Sequence, residues 1–398
     1  MRGGIEMNKS LLLKNILQLT DKIFPKRNII LFNSYPAYSD NSRALYEYIL
    51  RNRPDITKKY KIIWGQEKGA SIPKELSHYG IETIDKKSLK GIYTFLSAKY
   101  VFSTHGYFPG VKSGNGQVQV NLWHGCGYKS ITDADRIYRG DINTVTGSIY
   151  VPIHEKVFDM KPGTVYPTGL PRNDLLFADR AVMPKLRINK KKYKKIYIWM
   201  PTYRKANEGH KEVDGKVDAF TISTMTHGEL DLLNRTLKLL DILLIVKPHP
   251  MDAKAFDNVK GYTNIKTIMN SELDNAGVQL YEFMAETDAL LSDYSSVVID
   301  YLMLQKPVVM VMSDIYEYEN SRGFVFENIK DYLPGPIITN TTGLINYFKS
   351  ADQVDKKWKE KRSQLSRVFH DNLDGNSCER VCDMVFGKKG KLKEVSKI

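Results

Sequence analysis

The sequence is poor in whatever would staple, metallate or anchor a chain. Its 398 residues include three cysteines, Cys126, Cys378 and Cys382. Three thiols at irregular spacing exclude a disulfide framework, and without a CxxC pair there is no zinc-ribbon signature. A reducing cytoplasm is the expected compartment. No run of 18 apolar residues occurs, so no bilayer-spanning helix is expected. The Leu11–Leu13 run is short and broken by Lys14 and Gln18, which does not match a secretory signal. No GxGxxG follows the first apolar strand, and there is no GxxxxGK[ST] or HExxH. These absences argue against dinucleotide redox chemistry, a P-loop and a zincin site. No histidine has a spaced carboxylate or thiol partner that would suggest a metal, and no cofactor is expected.

Positive charge is in excess, with 59 Lys and Arg against 45 Asp and Glu and a net charge of +14. Such a chain favours anionic lipid, phosphate-rich substrates or other polyanions. Hydrophobic residues at 42% and charged residues at 26% are ordinary for a globular core, and the length suggests two domains.

Apolar residues in 9–27 (KSLLLKNILQLTDKIFPKR) fall near helical spacing between basic flanks. This predicts an amphipathic helix over 1–27, either packed on the domain or lying in the membrane plane. Short apolar strands then alternate with helical or turn-rich stretches. Strands are expected at 28–33, 61–65, 100–103, 117–123 and 143–146, with a helix at 41–51. After a basic stretch at 185–195 (KLRINKKKYKK) the pattern restarts, with strands at 196–200, 241–247, 289–292 and 308–312. Helices are expected at 282–286 and 296–304, and a flexible loop at 205–229. The organisation expected is therefore a domain over 28–184, a linker over 185–195, a second domain over 196–365, and a C-terminal helix and basic tail over 366–398. The fold class is α/β, with two facing doubly wound Rossmann-like domains and a cleft between them.

Four strand ends carry the polar residues from which chemistry can be built. Ser292-Asp293-Tyr294-Ser295-Ser296 stands where a strand passes into a helix, a place where backbone N–H groups and hydroxyls hold phosphate; capping alone would need one of these residues. In Val246-Lys247-Pro248-His249-Pro250 two prolines keep Lys247 and His249 out of helix and fix the turn. Asn121-Leu122-Trp123-His124-Gly125-Cys126-Gly127 puts an imidazole and close-approach glycines at the end of another strand, suited to a general base; a lone histidine there is otherwise structural. Met200-Pro201-Thr202-Tyr203-Arg204 offers a hydroxyl and a guanidinium for a phosphate, or an ion pair between domains. Lys129, Arg172, Asp174 and Arg322 are further candidates at the acceptor or along the cleft, although Arg172 and Asp174 stand close enough in sequence to pair with each other.

In order along the chain, SDNSRALYEYI, NLWHG, TGLPRND, MPTYR, KPHP, SDYSSVVIDY, RGF and LPGPI resemble the CDP-glycerol glycerophosphotransferase family, which builds wall teichoic acid and some capsules. The resemblance runs from about Ser39 to Cys382. It implies a GT-B-like fold, the CDP-polyol donor in the second domain and the acceptor on the first. It implies His124 as base and His249 near the donor phosphates, with Asp293, Ser295 and Ser296 on the pyrophosphate or the polyol. It further implies no essential metal, a lipid-linked or polymeric acceptor, and a peripheral position on the cytoplasmic face of the plasma membrane. After WHG the family's Thr-Pro-Leu-Lys is replaced by Cys126-Gly127-Tyr128-Lys129, which keeps only Lys129 and bears on the acceptor. The expected reaction transfers glycerol or ribitol phosphate from a CDP-polyol to a hydroxyl and releases CMP. The competing readings are a nucleotide-sugar glycosyltransferase or epimerase of the same fold, and a basic polyanion-binding protein without catalysis. Nucleic acid is not an expected partner, because no recognition motif accompanies the charge.

Overall fold

A computed structural model describes residues 14–20, 23–108, 110–130, 137–202, 219–249 and 256–391. Its residues divide into two compact units. The first takes the chain up to His124, then 133–175 and everything from Asp374 on; the second takes Gly125–Thr132 and Leu176–Leu373. Both units are α/β with wholly parallel sheets.

In the first unit the strands are β1 (Arg27–Asn33), β2 (Lys61–Gln66), β3 (Glu82–Asp85), β4 (Ala98–Ser103), β5 (Val118–Asn121), β6 (Ile142–Thr144) and β7 (Val165–Tyr166), in the order β3-β2-β1-β4-β5-β6-β7. The order reverses between β1 and β4, and ligands of doubly wound sheets collect at the strand carboxyl ends beside such a switch. Alternation along β1 explains the layers. Ile30 and Phe32 enter one buried cluster with Leu45 and Ile49 of the helix Asp40–Asn52 and with Val381 and Val385 of the helix Ser377–Phe386. Leu31 faces the other way, into a cluster with Phe95 of the helix Leu89–Ser97 and with Leu17. A sheet buried on both faces reads in sequence as short, nearly continuous apolar runs.

The second unit holds β8 (Lys195–Met200), β9 (Ile242–Val246), β10 (Ile265–Thr267), β11 (Ala289–Ser292), β12 (Val308–Val311) and β13 (Ile337–Ile338), in the order β10-β9-β8-β11-β12-β13. Here the switch lies between β8 and β11. Tyr197, Trp199, Leu244, Val246 and Leu291 pack against Leu230, Leu233 and Leu237 of the helix His227–Leu239 and against Leu344 and Phe348 of the helix Thr341–Phe369.

Several expectations are corrected. The basic stretch 185–195 is not a free linker: it lies inside the second unit, contains a 3-10 turn at Lys190–Lys192 and runs directly into β8. Within the expected loop 205–229, residues 203–218 lie outside the described residues. Its end is already structured, because Thr226 and Glu229 form a reciprocal cap that starts a 13-residue helix. The C-terminal helix, Ser377–Phe386, belongs to the first unit, where Asp174 accepts from the N–H groups of Ser377 and Cys378, both at 2.8 Å. The expected helix 296–304 is five helical residues, Val297–Tyr301, followed by a 3-10 turn. So few aligned peptides supply little dipole, and any anion there would depend on local N–H and hydroxyl groups. Of the expected N-terminal helix, residues 14–20 are helical; Leu17 is buried while Ile16, Leu19 and Ile23 are exposed.

Candidate active site

In the first unit the chain leaves β5 at Asn121 and bends at once. Trp123 takes a left-handed backbone, φ +56°, a conformation costing a non-glycine residue roughly 1–2 kcal/mol. Side-chain amides hold the bend. The Asn121 Oδ1 accepts from the Trp123 N–H at 2.9 Å. Asn41, fully buried, donates to the Leu122 and Trp123 carbonyls at 3.1 and 3.0 Å and accepts from the Arg172 N–H at 3.0 Å. The indole packs inward on His154 and Phe158, with centroids 4.7 and 5.5 Å away. The following residue, His124, is thereby left exposed at the carboxyl end of the sheet.

A second imidazole stands beside it. His105, two residues beyond β4, stacks on His124 with centroids 4.6 Å apart and planes 19° from parallel. Thr104 hydrogen-bonds the His105 Nδ1 at 2.9 Å. Arg172 closes the group from below: its Nη1 donates to Asp40 at 2.7 Å and to the His124 carbonyl at 3.0 Å. The protein mass around His124, and then the neighbouring His105, push its pKa down to about 4. His124 is therefore neutral near pH 7, with a lone pair free to take a proton. Burial also lowers His105. Arg172 and Asp174 do not pair with each other. Arg172 reaches back to Asp40 and Asp174 caps the helix Ser377–Phe386, because the 3-10 turn Pro171–Phe177 directs them to different partners.

In the second unit the polar residues gather at the ends of the three neighbouring strands β9, β8 and β11. Asp293 accepts from the Thr202 N–H at 3.1 Å and from its hydroxyl. Ser292 donates to the Met200 carbonyl at 2.6 Å. Lys247 follows β9, and its N–H bonds the Trp199 carbonyl at 2.8 Å. Its ammonium is almost buried, donates to the Pro248 carbonyl at 3.3 Å, and is lowered to about 8 by burial, with Asp274 opposing. His249 is exposed just beyond. Ser295 and Ser296 are partly exposed at the start of the helix Val297–Tyr301; Asp300 is buried there and accepts from the Tyr281 hydroxyl at 2.5 Å. Arg204 lies outside the described residues.

Two motifs that read as separate loops prove to be one ladder within this unit. Lys129 bridges Phe324, the Ser130 N–H bonds the Gly323 carbonyl at 3.0 Å, and the Val325 N–H bonds the Tyr128 carbonyl at 2.9 Å. Arg322 donates to the Ser130 carbonyl at 3.1 Å, so its guanidinium ties this ladder together. Lys129 sits over the Tyr318 ring at 5.9 Å. Gly125 is partly exposed, and Gly127 runs so close to Ser296 that an added Cβ would stand 3.2 Å from its Cα. LPGPI also serves the packing of the sheet. A Cβ on Gly335 would lie 1.7 Å from the Val308 carbonyl, and Pro336 accepts from Met310 as β13 begins.

The sequence reading missed Asp40, Asn41, His105 and His154. For His105 a signal was present: Ser103-Thr104-His105-Gly106 repeats the strand-end His-Gly arrangement of His124-Gly125. Among the described residues no three His, Cys, Asp or Glu side chains group as a metal site, and no helix is long and apolar enough to cross a membrane.

A family model described as CDP-Glycerol:Poly(glycerophosphate) glycerophosphotransferase matches residues 16–387. The chain belongs to this family. A member from Staphylococcus aureus, a teichoic acid glycerol-phosphate transferase, is 25% identical over 91% of this chain and 94% of its own length. A teichoic acid poly(glycerol phosphate) polymerase of Bacillus subtilis is 26% identical over 94% of this chain, which spans 50% of that longer protein. A solved structure of the wall teichoic acid polymerase TagF superposes with a TM-score of 0.72 at 23% identity, covering 96% of each chain. That likeness carries the fold.

Proposed function

We propose that this family member transfers glycerol phosphate or ribitol phosphate from a CDP-polyol to a hydroxyl of a lipid-linked or polymeric acceptor in teichoic acid-type synthesis. The observation that carries the reading is the family match, which runs without a break through both strand-end clusters. His124 takes the proton of the acceptor hydroxyl. The freed oxygen bonds the β-phosphorus, the bond from that phosphorus to the α-phosphate oxygen breaks, and CMP leaves with the electron pair. His249, Lys247, Arg204 and the Ser295–Ser296 segment meet the charge on the departing phosphate, and Thr202 with Asp293 shapes the turn beneath it. Positioning and charge stabilisation dominate phosphoryl transfer, so several modest contacts share the work. The neutral imidazole of His124 supports the assignment of the base.

In this reading the two doubly wound units work as a GT-B-like pair, the acceptor held by the first and the CDP-polyol by the second. The enzyme sits on the cytoplasmic face of the plasma membrane, where Ile16, Leu19 and Ile23, exposed on and just after the first described helix, meet anionic lipid. The test incubates the protein with CDP-glycerol or CDP-ribitol and a lipid-linked disaccharide, and weighs the products. A mass gain of one or more polyol phosphates with matching CMP is expected. No CMP from either donor would refute the reading.

A further inference from the structure

The basic stretch 185–195 walls a cavity that the transfer chemistry does not use. The cavity, of about 470 Å³, opens at the β10 edge of the second sheet, two strands away from β8 and three from β11. Arg187, Lys192, Lys260 and Lys266 line it, together with the half-buried Tyr193 and Tyr262, above a floor that includes the buried Ile188 and Ile265. Lys266 holds the wall in place by donating to the Leu186 carbonyl at 3.2 Å. Among the described residues Lys260 pairs with Asp257 at 2.7 Å, an ion pair exposed on both sides that competes weakly with an incoming anion.

Arg187 is the informative residue. It closes the turn Met183–Leu186 in a left-handed conformation, φ +56°, where glycine is the ordinary occupant. The turn thereby brings Arg187 to the lining of the cationic cavity.

We propose that this groove is a binding site for the phosphodiester chain of a poly(polyol phosphate), separate from the residues that carry out transfer. Spaced cations suit the repeating phosphates, the tyrosine rings and apolar floor suit the carbon skeleton between them, and the concave shape suits a thread better than a flat lipid surface. The groove holds an already polymerised segment on the second unit while the transfer site works on the chain end. This rests on the transferase reading for the identity of the polymer.

The test uses the full chain, with Arg187→Gly and the pair Lys192→Ala, Lys260→Ala; Lys266 is kept because it supports the wall. Calorimetric titration with a poly(glycerol phosphate) oligomer of defined length is compared with binding to phosphatidylglycerol vesicles and with CMP release on a single-unit acceptor. Oligomer affinity is expected to fall roughly tenfold per cation removed, the fold-change for one lost charge-assisted hydrogen bond. Turnover on the single-unit acceptor is expected to stay unchanged, and Arg187→Gly to fold at least as well as the parent. Unchanged oligomer affinity, or a loss confined to vesicles, overturns the proposal. Oligomer binding that these variants abolish, in a protein releasing no CMP from either CDP-polyol, supports the groove and refutes the transferase reading instead.

Discussion

Replacing Asn41 by alanine removes the clamp on the His124 bend without touching the imidazole. The side chain is fully buried and makes three hydrogen bonds, two donated to the Leu122 and Trp123 carbonyls and one accepted from the Arg172 N–H. At about 1 kcal/mol net each, their loss amounts to ~3 kcal/mol, and the buried carbonyls left without this donor push the figure upward. The same bonds hold Trp123 in its left-handed backbone, so the bend is expected to relax toward extended geometry. A shift of the imidazole by about 1 Å is worth roughly 100-fold in turnover. Urea denaturation and CMP release, measured on the same preparation, read both effects. Asn41→Ala with less than about 1 kcal/mol of destabilisation and parental turnover would refute the claim that this amide positions the loop.

His124→Ala and His249→Ala should each lower turnover by about 100- to 10,000-fold with an unchanged melting temperature; near-parental CMP release by either would remove that residue from the mechanism. His154 is fully buried, with no hydrogen-bond partner for either ring nitrogen among the described residues, and burial followed by the nearby His124 lowers it from 6.5 to about 3. The unfolded chain therefore binds more protons between those values, so stability falls as pH drops below 6.5, by ~2 kcal/mol at pH 5 from this residue. His154→Phe should flatten the stability–pH curve by that amount, and an unaltered slope in denaturation at pH 7 and 5 counts against it. Gly335→Ala should destabilise by about 3 kcal/mol or more, since its Cβ overlaps the Val308 carbonyl; a parental melting curve would contradict the packing. Removing residues 1–24 should weaken binding to anionic vesicles in a flotation assay, and equal binding would reject that anchor.

The central strands were legible because a parallel sheet covered on both faces needs uninterrupted apolar runs, as in Ile242–Val246 and Ala289–Ser292. The outer strands were not. Glu82–Asp85 and Ile265–Thr267 are short, and the polar residues they carry suit an edge, so nothing marks them before their neighbours are known. The helix from His227 was hidden behind a Gly- and Asp-rich approach, although Thr226 and Glu229 at capping spacing announced it. At the site, strand ends pointed to His124, Lys247, Thr202 and Asp293. What holds them was out of reach, since Asn41 meets Arg172 across 131 positions and Asp174 meets Ser377 across 203. Adjacency in sequence suggested an Arg172–Asp174 pair; the turn between them decides otherwise.

Glycine would bend the chain after β5 without strain, yet tryptophan stands there with its indole driven among His154 and Phe158. The imidazole proposed as the base is thus mounted on a keel sunk into the hull of the first unit. Wear to that ballast, at positions no substrate ever meets, should show first as an idle enzyme and only later as an unfolded one.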